Sequence, residues 1–348
     1  MSNSETAAAA EIMLNETYAY GKPQVQASFK QTPTDFQVNE ILGFEPEADV
    51  KGQHHWLQIE KSGVNTDHVA RALAQFVDIQ ARNVSFSGMK DRHAVTTQWF
   101  SVELPATKLV DWNAFAEPGV RILQAVKSNR KLRRGTHKWN EFSITLRDVS
   151  NVNELLARVE KIKAGVPNYF GEQRFGYQGS NLTKAEGMFA GRRIKDRNLR
   201  SIVLSAARSY LFNQYVSTRL AQHGTALLAG DVMQLTGSHS FFVAEHIDTT
   251  VLQRVASGDI EVTGPMPGRG RSPVQGAAQE FEEALLAQFK PWLEGIERAG
   301  VDQSRRAMWL QAENLVVDSE QNVVRLRFRL TTGSFATSVL RELAQVTS

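Results

Sequence analysis

Hydrophobic and polar positions change period along this chain, and the change divides it into two kinds of sequence. In the first half they alternate in short runs. FQVNEIL (36–42) and HWLQIE (55–60) read as strands, the latter setting Leu57 and Ile59 opposite Trp56, Gln58 and Glu60. NVSF (83–86) and QWFSVEL (98–104) are two more, and NEFSITL (140–146) puts Asn140, Phe142, Ile144 and Leu146 on one face. Between these runs the period lengthens to that of a helix. NTDHVARALAQF (65–76), capped by Asn65 or Thr66, repeats Val69, Leu73 and Phe76. NVNELLARVEKIK (151–163) carries a stripe of Val152, Leu155, Leu156, Val159 and Ile162, which Gly165 and Pro167 stop.

After residue 165 helical patterns dominate. Residues 201–224 form one long helical run ending at a glycine, and 279–290 form another, halted by Pro291. TGPMPGRGRSP (263–273) between them reads as a loop from its Gly and Pro content. Strand alternation returns at 323–330, followed by a helix stripe of Val339, Leu340, Leu343 and Val346. The pattern therefore predicts a β-rich body, 16–164 plus 311–348, interrupted by a helical block at 165–310 of ordinary domain size. Residues 1–15 read as a frayed tail, with neither the cationic start nor the apolar run of a secretory signal.

Composition narrows the function classes. Without cysteine there are no disulfides, thiolate nucleophiles or cysteine metal sites, which suits the cytoplasm. No run approaches the ~20 apolar residues that a membrane helix needs. Lys plus Arg number 40 against 37 Asp plus Glu, so a net +3 does not by itself point to a polyanion. The distribution does. KSNRKLRRGTHKWN (127–140) has six cations and no acid, and GRRIKDRNLR (191–200) has five against one Asp. VRLRFRL (324–330) sets Arg325, Arg327 and Arg329 on the face opposite Val324, Leu326, Phe328 and Leu330. One such stretch is ordinarily a solvated face; three on a nearly neutral chain predict a nucleic-acid surface.

The chemistry is less obvious. In SGMKDRHAVTTQ (87–98) Asp91 lies between Lys90 and Arg92 on a short connection between strands. A carboxylate beside a cation stays ionised and can act as nucleophile, general base or orienting acceptor, and spacing does not choose among these. For an RNA base it would need a cation partner, a planar apolar group and an amide. Lys30, Phe36, Asn140, Phe142 and Phe335 are candidates, although phenylalanines are ordinarily core and Asn140 could simply end a strand. His54 and His55 point to opposite faces of a strand and cannot share a metal. There is no HExxH, no Walker glycine–lysine run, no GxGxxG after a strand and no GxSxG, so neither a metal nor a nucleotide cofactor is expected.

Several separated motifs resemble the TruD-type tRNA pseudouridine synthases. They are PTDFQVNE (33–40), EKSGVNTDHVARALA (60–74), GMKDRHAVTTQ (88–98), NEF (140–142), GVPNYFGEQRFG (165–176), SAARSYLFNQ (205–214) and GSFATSVLRE (333–342). The resemblance implies an α+β fold. In it a pseudouridine synthase catalytic domain, with a mostly antiparallel or mixed sheet flanked by helices, holds an inserted α/β TRUD domain at 165–310. It also implies a cofactor-independent isomerase that converts a uridine in RNA to pseudouridine by base flipping, usually uridine 13 in the D arm of tRNA(Glu). Residue by residue, Asp91 matches the family's catalytic aspartate and Lys30 the lysine that ion-pairs with it. Phe36, Asn140 and Phe335 match the lining of the uracil pocket, and Phe142 stands where other pseudouridine synthases carry a stacking tyrosine. Arg92, Arg133, Arg134, Arg192 and Arg193 are expected on the RNA backbone, lining a cleft between the domains. The chain departs from its relatives at Thr331, where many have proline. At Phe335 members vary between Tyr and Phe, and Phe stacks without donating a hydrogen bond. A monomer is expected, since no extended dimerisation stripe is visible. A silent RNA-binding protein, or a base-exchange enzyme or glycosidase with a nucleophilic Asp, would share these features.

Overall fold

A computed structural model describes residues 16–238 and 240–347, so the tail at 1–15 lies outside the described residues. The chain separates into two compact units, one built on Pro23–Lys163, Gln311–Ala336 and 343–347, the other on 16–22, Ala164–Leu310 and Thr337–Glu342.

The first unit is organised by a ten-stranded mixed sheet. Its main path runs Glu313–Glu320, Val323–Thr331, Trp139–Arg147, Phe36–Ile41, Val95–Glu103, His54–Ser62, Val120–Ser128. Neighbours pair antiparallel except Phe36–Ile41 with Val95–Glu103 and, off the main path, Gln26–Phe29 with Gln345–Thr347. Helix Thr66–Phe76 covers one face, packing Val69 and Leu73 onto Leu57, Ile59, Phe100 and Val102. The opposite face is closed locally by Leu132, which is buried with Leu42, Trp56 and Trp99. Trp56 therefore supplies a second core, although its alternation with Leu57 made it look like the solvent side of the strand.

The other unit carries a four-stranded antiparallel sheet in the order Phe241–Ala244, Asp231–Leu235, Ile260–Met266, Ser304–Ala307. Helix Arg197–His223 is its spine. Asp196 caps it by accepting from Asn198 N and Leu199 N, and Gly224 ends it. Deep in this helix Asn213 donates to and accepts from the backbone of Phe170, so the FNQ and NYFG motifs meet in a pair of amide hydrogen bonds.

Three sequence expectations need correction. The Pro- and Gly-rich stretch at 263–273 is strand as far as Met266. Pro265 fits because its position pairs with Arg305 of a short terminal strand. Pro291 does not end a helix. It starts helix Lys290–Arg298, where the first turn lacks amide partners anyway, and the preceding helix Gly276–Leu286 ends earlier. Val346 leaves the helix stripe, because Ala336–Leu343 gives way to a strand at Gln345–Thr347. Strand Glu313–Glu320 was not visible in the pattern because, as an edge strand, it buries no face continuously.

Candidate active site

Asp91 lies in the irregular segment between strands Val84–Phe86 and Val95–Glu103. One carboxylate oxygen accepts from Lys30 Nζ and the other from His93 N at 3.0 Å. Burial opposes ionisation, but the hydrogen bond and charge of Lys30, with the His93 amide, hold the Asp91 carboxyl below its ordinary value. The pair is not sealed: side-chain exposure is 16% for Lys30 and 24% for Asp91, enough for a ligand to reach both.

Lys30 follows strand Gln26–Phe29 with a left-handed φ of 59°, a conformation that a lysine adopts only where its surroundings hold it. Its ammonium sits 4.4 Å from the Phe36 ring centroid and 5.3 Å from that of Phe29. Phe36 is set by the preceding turn. Thr32 and Asp35 form a capping box around Pro33–Asp35, and Arg147 grips both oxygens of the buried Asp35 at 2.8–3.1 Å. Phe36 in turn stacks on Phe142 with centroids 6.0 Å apart, and Phe142 on Phe328 at 5.5 Å. Phe36 is half-buried and Phe142 is buried, so Phe142 is the floor beneath Phe36.

Asn140 lies two residues before Phe142 on the same strand face, buried, opposite Leu330 on one side and Glu40 on the other. Its Oδ1 has no hydrogen-bond partner among the described residues. A buried amide oxygen left unsatisfied costs about 1–3 kcal/mol, a debt that a ligand N–H could cancel. Phe335 follows the 331–334 turn, which Thr332 ties to 137–138 through its N–H to the Lys138 carbonyl and its hydroxyl to the His137 carbonyl. The structure thus links Lys30, Asp91, Phe36 and Phe142 by direct contacts and places Asn140 one step along the same strand.

Sequence reasoning missed what stands behind Asp91. Lys90 is half-buried, and its ammonium ion-pairs with the buried Glu40 at 2.5 Å. Glu40 Oε2 also accepts from Trp99 N at 3.0 Å. Burial pushes the Glu40 carboxyl up against the pull of Lys90, and it pulls the neighbouring His137 down to about 4. A Cβ on Gly88 would meet Glu40 Oε1 and Lys90 Nζ at 2.9 Å, so a side chain there would have to displace the ion pair. Main-chain groups of the segment are also held. Gln98 Nε2 donates to the Gly88 carbonyl at 2.8 Å, and the Lys90 amide donates to Thr66 Oγ1 at 3.1 Å. Thr66 is therefore not the helix cap; that position is Asn65, and the Thr66 hydroxyl serves the Asp91 segment. The G-x-K-D and T-x-Q patterns are the parts of one buried scaffold.

The basic run at 127–138 joins the same scaffold. Ser87 O accepts from Gly135 N at 2.8 Å, and Ser87 Oγ lies 2.5 Å from His137 Nδ1. Half its cations are spent internally: Lys127 on the Ala106 carbonyl, Arg130 on Glu47 and Lys131 on Glu103. Arg133, Arg134 and Lys138 stay exposed. Arg92 is exposed but donates to the Gly63 carbonyl at 2.9 Å. On strand Val323–Thr331, Arg325 pairs with Asp318 and Arg329 with Glu141, so that row is largely neutralised. Arg192 and Arg193 are exposed in the other unit. Among the described residues no group of three His, Cys, Asp or Glu side chains is placed to hold a metal, and no helix is long and apolar enough to cross a membrane.

The family model of tRNA pseudouridine synthase D (TruD) matches residues 13–195 and 180–343. The chain belongs to that family. It is 46% identical to a tRNA pseudouridine synthase D from Aeromonas hydrophila over 94% of this chain and 93% of that protein. To the corresponding protein of Legionella pneumophila strain Lens it is 43% identical, over 95% of this chain and 99% of the other. A crystal structure from Methanosarcina mazei described under the same family name superposes with a TM-score of 0.72 at 20% identity, covering 96% of this chain and 97% of that one. At that identity the likeness speaks for the fold, which is the mixed α+β architecture expected of the family.

Proposed function

We propose that this chain isomerises a uridine of tRNA to pseudouridine, with Asp91 as the catalytic carboxylate and Lys30 as its cation. The observation that carries the reading is the ion pair itself: an accessible, ionised Asp91 fixed from both oxygens, with the Lys30 ammonium that holds it lying over the Phe36 ring. In the reaction the N1–C1′ bond breaks, the uracil turns, C5 bonds to C1′, and the C5 proton is exchanged for one on N1, so mass is unchanged. An ionised Asp serves this by attacking C1′ or C6, or by taking a ribose proton, and low basicity keeps it charged at neutral pH. The uridine must leave its stack to reach a partly buried carboxylate. Phe36 and Phe335 offer it an aromatic surface worth about 1–3 kcal/mol per stacked base. The orphaned Asn140 oxygen suits the uracil N3–H.

The substrate proposed is uridine 13 in the D arm of tRNA(Glu), with Arg92, Arg133, Arg134, Arg192 and Arg193 on its phosphates, and the enzyme acting as a cytoplasmic monomer. The inserted domain is proposed to span 165–310. The test is release of tritium from tRNA labelled at uridine C5, with the modified position mapped by sequencing. Asp91→Asn should lose turnover by about 10⁴-fold or more while tRNA binding changes little. An active Asp91→Asn enzyme would overturn the catalytic role, and free uracil among the products would mark a glycosidase instead.

A further inference from the structure

Lys61 is the largest buried charge near the site that the proposed chemistry does not use. It continues the inward face of strand His54–Ser62, in register with Leu57 and Ile59, and is 1% exposed. A lysine on that face is costly to bury unless its ammonium is fully occupied. It is occupied by main chain: Nζ donates to the carbonyls of Asp91 at 2.8 Å, Val64 at 3.0 Å and Lys90 at 3.5 Å. Three hydrogens meet three oxygens, two of them on consecutive residues of the catalytic segment. The charged groups acting on it are the Asp91 carboxylate, which stabilises the ammonium, and Lys90, which opposes it. Lys30 and His93 act on that carboxylate in turn, and Glu40 holds Lys90.

We propose that Lys61 is a positioning residue for Asp91: its ammonium fixes the Asp91 backbone from behind while Lys30 fixes the carboxylate from in front, and the charged form is required. The inference rests on the function proposed above. Carbonyls at Asp91 and Lys90 have no amide donor from a neighbouring strand among the hydrogen bonds described, so the ammonium takes the place of a sheet partner where the segment leaves the sheet. Burial also pulls this ammonium down to about 8. Once deprotonated it offers two hydrogens to three oxygens and no field to the carboxylate.

The geometry separates activity from stability. Because the folded protein disfavours the Lys61 proton, its contribution to stability rises with pH from about 8 toward the ordinary 10.5. Turnover should fall over the same range. A general loss of structure would move both together.

The experiment uses the full chain, tRNA labelled at uridine C5, and single-turnover rates from pH 6 to about 9.5. Lys61→Met should stay folded by circular dichroism, bind tRNA within about threefold and react about 100-fold more slowly, the scale of a misplacement near 1 Å. The chain has no cysteine, so Lys61→Cys can be alkylated uniquely with 2-bromoethylamine, in denaturant and then refolded, to restore an ammonium on a thioether stem. That analogue is more acidic than lysine. It should recover turnover, with a basic limb displaced to lower pH than in the parent, whereas a limb set by the RNA stays put. If Lys61→Met does not fold, the parent and the aminoethylated protein carry the comparison. A Lys61→Met rate within about threefold of the parent, a parent rate flat through pH 9, or an undisplaced limb in the analogue each overturns the role of Lys61. A parent that forms no pseudouridine overturns the proposed function instead.

Discussion

Removing the ammonium of Lys90 should unfold the sheet that carries Asp91 more readily than any surface change in the same segment. Glu40 has no exposed side-chain surface and Lys90 has 9%, so Lys90→Met strands a carboxylate whose remaining hydrogen-bond donor among the described residues is the Trp99 amide, with His137 Nδ1 at 3.8 Å. Breaking one side of such a buried pair costs about 3–5 kcal/mol, against a total stability of about 5–15 kcal/mol for a domain. With a urea slope of about 2–3 kcal/mol per molar, the midpoint falls by roughly 1–2.5 M. Replacing both partners removes the stranded charge, so Glu40→Gln with Lys90→Met should be more stable than the sum of the single effects, by about 2–3 kcal/mol of coupling. The assay is a double-mutant cycle in urea followed by tryptophan fluorescence, since Trp56, Trp99, Trp112 and Trp139 all report on this unit. Acid supplies a signed control. The Glu40 carboxyl is already raised, and without Lys90 it rises further. A carboxyl raised in the folded state binds its proton there first, so its stabilising contribution is lost as pH rises from 4.5. Lys90→Met should therefore recover stability between pH 7 and about 5, more than the parent does. A single variant within about 1 kcal/mol of the parent, or a cycle with no coupling, refutes the buried-pair reasoning.

Two further outcomes follow from the charges nearer the surface. Lys30→Met removes the cation that offsets the burial of Asp91, so the acid limb of the single-turnover rate should move to higher pH; an unmoved limb would mean that Lys30 does not hold the carboxylate anionic. Reversing Arg133, Arg134, Arg192 and Arg193 together should weaken tRNA binding and flatten the slope of log affinity against log salt by about 3, and an unchanged slope removes these residues from the phosphate contacts.

In the first unit the central strands were legible where one face is buried, whereas Ile260–Met266, packed on helix Arg197–His223, was hidden by its Gly and Pro. His54–Ser62 and Trp139–Arg147 alternate in sequence because they alternate in space. Edge strands such as Glu313–Glu320 lack that constraint and left no pattern. The candidate site was legible through whole-chain motifs rather than spacing: nothing local tells that Lys30 reaches Asp91 across 61 positions. Lys61 did carry a local signal, a charge on the inward period of a strand, which the neighbouring apolar residues obscured. Lys90 carried none, because its partner Glu40 comes from another strand. Asn65 and Thr66 were not separable as caps from sequence for a general reason: the residue types that cap helices are also those that satisfy stray amides elsewhere.

The parallel pairing of Gln26–Phe29 with Gln345–Thr347 bears on how this protein is made. The strand that leads into Lys30 finds that neighbour only after the whole 164–310 segment has been translated, and the same delay applies to Val323–Thr331, which covers Phe142 with Phe328. Pairings so distant in sequence close slowly, because chain entropy is lost before contacts repay it. On the ribosome the strands between 36 and 147 can pair with one another before 164–310 is made, while Gln26–Phe29 and Trp139–Arg147 keep an open edge. The sheet would thus be closed last at these edges, and a chaperone that shields them during synthesis would matter more to the yield of the protein than to its final stability.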